Sequence, residues 1–181
     1  MDNNKKNGNW LTELLEELKL SLVISYLELF VTCADAKEYV QKNIEVKTLT
    51  HIDAVPDNFL FVDKDGKEDI RLIDWEYAGM QDPHVDIAMF CIYSLYDKTQ
   101  VDHLIDIYFE DECKQSIRIK IYCYIAIAGL LWSNWCEYKR TLGIEFGEYS
   151  LRQYRYAKEY YRIVQEELRK LKEGREVIQN V

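Results

Sequence analysis

The sequence predicts a mainly α-helical fold carrying one small β-hairpin. Apolar residues recur at helical spacing along most of the 181 residues. A single Asp65-Gly66 turn separates two short β-prone runs. No internal repeat or low-complexity linker divides the chain, and its length suffices for one domain with a substantial core.

Taken in order, residues 10–43 read as helix. Trp10, Leu14, Leu15, Leu18, Leu22 and Tyr26 recur on one face, with an interruption expected at Thr32–Asp35 and a second helix through Tyr39 and Val40. Residues 46–50 alternate and predict a short strand leading into His51. Phe59-Leu-Phe-Val and Ile70-Arg-Leu-Ile73 form the arms of the hairpin. Asp82-Pro83 predicts a helix start, with Asp as the cap and Pro at the first helical position. From there to about Gly174 the pattern is helical, broken at Gly143 and Gly147 between a helix ending near Arg140 and one starting near Tyr149. The domain reading is residues 1–45 as N-terminal helices, 46–174 as the functional unit and 175–181 as a tail.

Composition narrows the function. With 48% hydrophobic and 30% charged residues the chain is of globular type. A net charge of -9 leaves no electrostatic footprint for nucleic acid and opposes adsorption on anionic membranes, while it mildly favours a cationic ligand. The five cysteines form no C-x-x-C and read as reduced, core-packing thiols. The polar start lacks an apolar signal core, and the run Ile121–Trp135 is broken by Ser133 and Asn134. The expected location is the cytoplasm.

The chemistry concentrates in His51-Ile-Asp53-Ala-Val-Pro56-Asp-Asn58 and in Leu72-Ile-Asp74-Trp-Glu76-Tyr77. Phosphoryl transfer needs a carboxylate beside the acceptor hydroxyl and hard oxygen ligands for Mg²⁺ on the phosphates. An H-x-D-x-x-x-x-N loop turns Asp53 toward an acceptor and Asn58 back toward a metal. The hairpin returns Asp74 to the same place. Alone, H-x-D is common and usually structural; the ordered set of strand, loop, hairpin and I-D-W-E points to a kinase-type site.

His51–Asn58, Leu72–Tyr77 and Asp82-Pro-His-Val-Asp86-Ile-Ala resemble the choline/ethanolamine kinase family, within the aminoglycoside-phosphotransferase-like group with the protein-kinase fold. The bacterial choline kinase branch fits best, over about Thr48 to Tyr161. The resemblance implies the C-terminal, helical lobe of that fold, with ATP as co-substrate and Mg²⁺ as cofactor. It implies Asp53 as catalytic base, Asn58 and Asp74 as metal ligands, Glu76 at the metal or the acceptor, and His51 and Asp86 as bracing residues.

Trp132 and Trp135 lie at i, i+3 on one helical face, followed by Phe146-Gly-Glu-Tyr149. Such a pair alone is usually core. Beside a kinase site it resembles the family's pocket for a quaternary ammonium, held by cation–π attraction. Trp132, Trp135 and Tyr149 are the expected cage, closed by Tyr96 and Tyr93, for choline or ethanolamine. Tyr149–Tyr161 otherwise reads as a packing face.

A kinase of this fold also needs a glycine-rich phosphate loop and a strand-borne lysine. Neither G-x-G-x-x-G nor G-x-x-x-x-G-K-[ST] occurs, and only about fifty residues, read as helices, precede Asp53. The expectation is a choline kinase-like C-terminal lobe without its nucleotide-binding lobe, inactive alone. Its apolar lobe face would be open to a separate lobe chain or to self-association. Two alternatives are a non-catalytic choline-binding module and an aminoglycoside- or small-alcohol phosphotransferase.

Overall fold

The computed structural model describes residues 33–179, with side chains through residue 173. It opens in a helix, α1, whose described part is 33–42. Cys33, Ala36 and Val40 fall at helical spacing and are buried, so the helix is already formed at Cys33, where an interruption was expected. The predicted helix over residues 10–32 lies outside the described residues.

Four short strands follow: β1 (Thr48–Thr50), β2 (Phe59–Lys64), β3 (Lys67–Leu72) and β4 (Gly79–Gln81). They make two separate antiparallel pairs. β2 and β3 form the predicted hairpin, with Phe59 opposite Leu72 and Lys64 opposite Lys67. Its tip is Asp65-Gly66, both at positive φ, as a tight two-residue turn demands. β1 pairs with β4, Thr48 opposite Gln81, and the Thr50 hydroxyl donates to the Gly79 carbonyl at 2.9 Å. This second pair was not foreseen beyond its first strand.

Four helices complete the fold: α2 (His84–Tyr93), α3 (Lys98–Tyr108), α4 (Gln115–Thr141) and α5 (Glu148–Gln179). The last continues past Gly174, five residues beyond the expected end. Asp82 caps α2 as predicted in kind, one residue off in position: its Oδ1 accepts from the His84 amide at 2.9 Å. α3 carries an Asp97–Gln100 capping box. By length and composition α4 is apolar enough to cross a membrane, but 61% of its apolar window is buried inside the fold. It is the central core helix, with Ile119, Ile121, Ile125 and Ala126 fully buried against α2 and α5.

α4 and α5 approach closely at Gly129. A Cβ there would stand 2.7 Å from the Gln153 carbonyl oxygen and 2.9 Å from the Tyr156 Cβ. Gln153, fully buried, donates to the Ile92 carbonyl at 3.1 Å and so ties α5 to α2. A buried ion pair anchors the other end. Lys120 reaches Asp82 at 2.6 Å and also donates to the Asn43 carbonyl at 2.8 Å, joining α4, the start of α2 and the end of α1. The thiols of Cys91 and Cys123 are buried and pushed up to about 12, which leaves them unreactive packing groups.

Candidate active site

The loop from His51 to Asn58 is built on buried polar contacts. The Asp86 carboxylate, from the first turn of α2, accepts from the backbone N–H of His51 and of Ile52, both at 2.8 Å. Ile52 needs that support. It sits at φ +70, where a β-branched residue costs about 1–2 kcal/mol. The His51 ring is buried, and its Nε2 lies 2.8 Å from the Ile73 carbonyl. A carbonyl only accepts, so Nε2 carries the proton and Nδ1, buried with no partner, is left as the lone-pair nitrogen. An edge-on contact with Trp75, 4.8 Å between ring centres, completes the seat of His51.

Asn58 closes the loop. Its Nδ2 donates to the Asp53 carbonyl at 2.9 Å, which turns Oδ1 away as a free hard oxygen. Its own carbonyl accepts from the Ile73 amide at 3.0 Å, so the strand bearing Asp74 is fastened directly to the loop. Asp74 follows at φ +63, a second left-handed residue outside glycine. Asn58 Oδ1 and the Asp74 carboxylate are the donor set that a Mg²⁺ ion prefers. Among the described residues no three His, Cys, Asp or Glu gather to hold a metal alone. One or two side chains suffice when phosphates supply the remaining oxygens.

Beside this loop lies an open cleft of about 730 Å³. Asp53, Ile52, Val55 and Glu76 line one side; Trp132 and Trp135 from α4, Tyr93 from α2 and Tyr149 from α5 line the other. The rings form a continuous wall. Trp132 and Trp135 meet at 5.5 Å, Trp132 and Tyr93 at 5.9 Å, and Trp135 and Phe146 at 5.1 Å. Lys139 already holds its ammonium 5.4 Å from the Trp135 ring centre, so this indole takes a cation within the fold itself. Burial, the neighbouring Cys136 and the Asp53 carboxylate push the Tyr149 hydroxyl up to about 12. The exposed Tyr77 hydroxyl is raised chiefly by the adjoining Glu76 carboxylate.

The structure therefore brings Asp53, Glu76, Tyr93, Trp132, Trp135 and Tyr149 around one cleft, while Asn58 and Asp74 stand on the adjoining loop and strand end. Tyr96 is not among them. The helix ends at Tyr93, Leu95 turns left-handed at φ +54, and the Tyr96 amide closes back on the Cys91 carbonyl at 3.1 Å. Tyr96 then packs edge-on against Phe90, and its carbonyl accepts from the Tyr156 hydroxyl. Phe146 and Tyr77 complete the lining, and neither was singled out from the sequence. The available signals were the position of Phe146 three residues before Tyr149 and that of Tyr77 directly after Glu76.

Comparison with known proteins points to one family and one fold. The family described as Phosphotransferase enzyme family (APH) matches residues 5–120, more than half of the chain. The match includes residues 5–45, which the sequence reading left without a family counterpart, and stops short of the two tryptophans of α4. Protein LicA of Haemophilus influenzae is 31% identical over 123 residues, 64% of this chain and 34% of its own length. The crystal structure of choline kinase LicA from Streptococcus pneumoniae superposes with a TM-score of 0.58 at 26% identity, over 75% of this chain and 47% of that one. A choline/ethanolamine kinase family protein from Mesorhizobium loti shares the fold with a TM-score of 0.58 at 22% identity, over 79% and 46%. The chain thus spans less than half the length of each of these relatives.

Proposed function

The chain belongs to the phosphotransferase enzyme family, and from that premise we propose that it supplies the acceptor-binding, helical half of a choline kinase-like enzyme. The observation that carries the reading is the cleft itself, which sets a carboxylate, Asp53, against a wall of aromatic faces. Aromatic faces attract a quaternary ammonium by about 2 kcal/mol or more once water is excluded. Glu76 on the same cleft adds a negative charge to that cationic preference. The richness of the wall favours choline over ethanolamine.

In this reading the amine end of choline lies against Trp132, Trp135 and Tyr149, and its hydroxyl reaches Asp53. The carboxylate takes the hydroxyl proton as the oxygen forms its bond to the γ-phosphorus of ATP. The bond from that phosphorus to the bridging oxygen breaks, and ADP leaves. Asn58 and Asp74 would share a Mg²⁺ ion with the phosphates, which neutralises their charge. Asp86 and His51 take no part in bond making; they hold the loop. The exposed cross-strand pairs Leu49–Met80 and Phe61–Ile70 are the surface against which this reading places a separate nucleotide-binding lobe or a second copy.

The test is calorimetric titration of the chain with choline and, on separate samples, with Mg²⁺–ATP. Choline binding that drops at least tenfold in Trp132→Ala is the expected result, with no ATP turnover by this chain alone. Choline affinity unchanged in that variant would remove the cage. Near-normal turnover by a complete two-lobe enzyme carrying Asp53→Ala would remove the base assignment, and choline binding that ignores Mg²⁺ and ATP in that enzyme would favour a non-catalytic amine-binding role.

A further inference from the structure

One ring of the aromatic wall is already in contact with a positive charge that the fold supplies. Lys139 lies one helical turn after Trp135, in the last turn of α4, and its ammonium stands 5.4 Å from the centre of the Trp135 ring. The backbone is fixed there, because the Lys139 carbonyl accepts from the Leu142 amide at 2.9 Å and from the Ile144 amide at 3.1 Å. No carboxylate among the described residues pairs with this ammonium. The nearest in sequence, Glu137, is taken by the Arg140 guanidinium and by the Ser150 hydroxyl, the latter at 3.2 Å. The charge of Lys139 is therefore not cancelled locally, and the indole is its partner. Lys139 does not line the cleft, whereas Trp135 does, so one ring is shared between a cation outside the cleft and whatever lies inside it.

A cation bound on the cleft side would sit within about 6 Å of the same ring centre. With Lys139 at 5.4 Å, the two positive charges then lie at most about 11 Å apart, close enough to repel at the edge of a protein. Both also draw on the same π electrons. Building on the reading of the wall as an amine site, we infer that Lys139 is a specificity-determining residue. Its ammonium on Trp135 weakens the wall's hold on a cationic ligand and leaves the hold on a neutral ligand of the same shape unchanged. The carboxylates of Asp53 and Glu76 draw a cation in from the loop side of the cleft, and Lys139 opposes them from the helix side. The preference of the cleft for positive charge is thus set by a balance between its two sides, and one side chain outside the lining holds part of that balance.

The test is calorimetric titration of the full chain with two ligands: choline, and the neutral alcohol in which carbon replaces the choline nitrogen. At an ionic strength of about 10 mM, where screening sets in only beyond about 30 Å, Lys139→Met should bind choline about threefold more tightly than the wild type, or better. The neutral alcohol should bind the two proteins equally. Lys139→Arg keeps the charge and should match the wild type with either ligand. The gap between Lys139→Met and the wild type should narrow at about 0.5 M salt. Choline affinity in Lys139→Met equal to or below that of the wild type would overturn the inference and leave the amine reading standing. So would equal gains for choline and the neutral alcohol, the mark of a packing change. If neither the wild type nor Lys139→Met binds choline, the amine reading falls and the inference falls with it.

Discussion

On one side of the cleft Asp53 stands on a loop that owes its shape to buried polar bonds; on the other, the tryptophans of α4 and the tyrosine of α5 stand on helices locked by close packing. The loop side depends on a few directional partners, namely Asp86 on two amides, His51 on the Ile73 carbonyl and Asn58 on the Asp53 carbonyl. Each is a single point of failure, because a buried donor that loses its partner bears the full desolvation penalty. The wall side rests on many small contacts and on one place, Gly129, where no side chain fits. It should tolerate hydrophobic substitution until backbone spacing changes. A phosphoryl-transfer site needs both: a carboxylate fixed in direction, and a surface that excludes water without specific bonds.

The largest effect should come from the ion pair beneath the loop side. Lys120→Met leaves the Asp82 carboxylate buried without its counterion, and the expected loss is about 3–5 kcal/mol in urea unfolding. Next, Asp86→Ala strands the amides of His51 and Ile52 and should remove about 2–4 kcal/mol. It should also abolish any dependence of choline binding on Asp53, because the loop no longer presents it. On the wall side, Gly129→Ala forces α4 and α5 apart and should lower stability by about 1–3 kcal/mol. That loss should be insensitive to salt and accompanied by weaker choline binding, since both helices line the cleft. An equal loss of choline affinity in Gly129→Ala and Lys120→Met would erase the distinction between the two sides.

The smallest effect is a pH dependence seated at His84. Burial, then the Lys120 ammonium, holds its imidazole below the ordinary 6.5, against the opposing pull of Asp82 and Glu45. The folded protein therefore binds this proton less readily than the unfolded chain does. Stability from this group is present above 6.5 and is lost as pH falls through that value toward the folded pKa. Unfolding measured between pH 7.5 and 5 should show a shallower decline in His84→Gln than in the wild type.

Much of the loop side was legible because it is written in contiguous motifs. Asp65-Gly66 announces its turn, H-x-D-x-x-P-x-N announces its loop, and Asp82-Pro83 starts a helix within one residue of where the helix begins. β4 was not legible: Gly-Met-Gln is too short to alternate, and it becomes a strand only because β1 lies beside it. Tyr96 went astray for a related reason. Left-handed helix ends are signalled by glycine, and Leu95 adopts that conformation without one. Helical spacing was thus extended three residues too far, past the point where Tyr93 is the last side chain to reach the cleft. Cys33–Asp35 erred the other way, since buried Cys33 and Ala36 hold the helix through a stretch whose polar residues suggested a break.

The bond from Asp86 to the loop spans 35 residues to His51 and 34 to Ile52, so the entry of the loop is shaped by a distant partner, whereas its exit is closed locally by Asn58. The geometry of the entry comes into being when α2 docks on the core, and it lasts as long as that docking does. The amide protons of His51 and Ile52 should then exchange with solvent at the rate of α2 rather than at the rate of a surface loop. Any event that lifts α2 from α4, even briefly, displaces the Asp53 loop and the Tyr93 side of the cleft together.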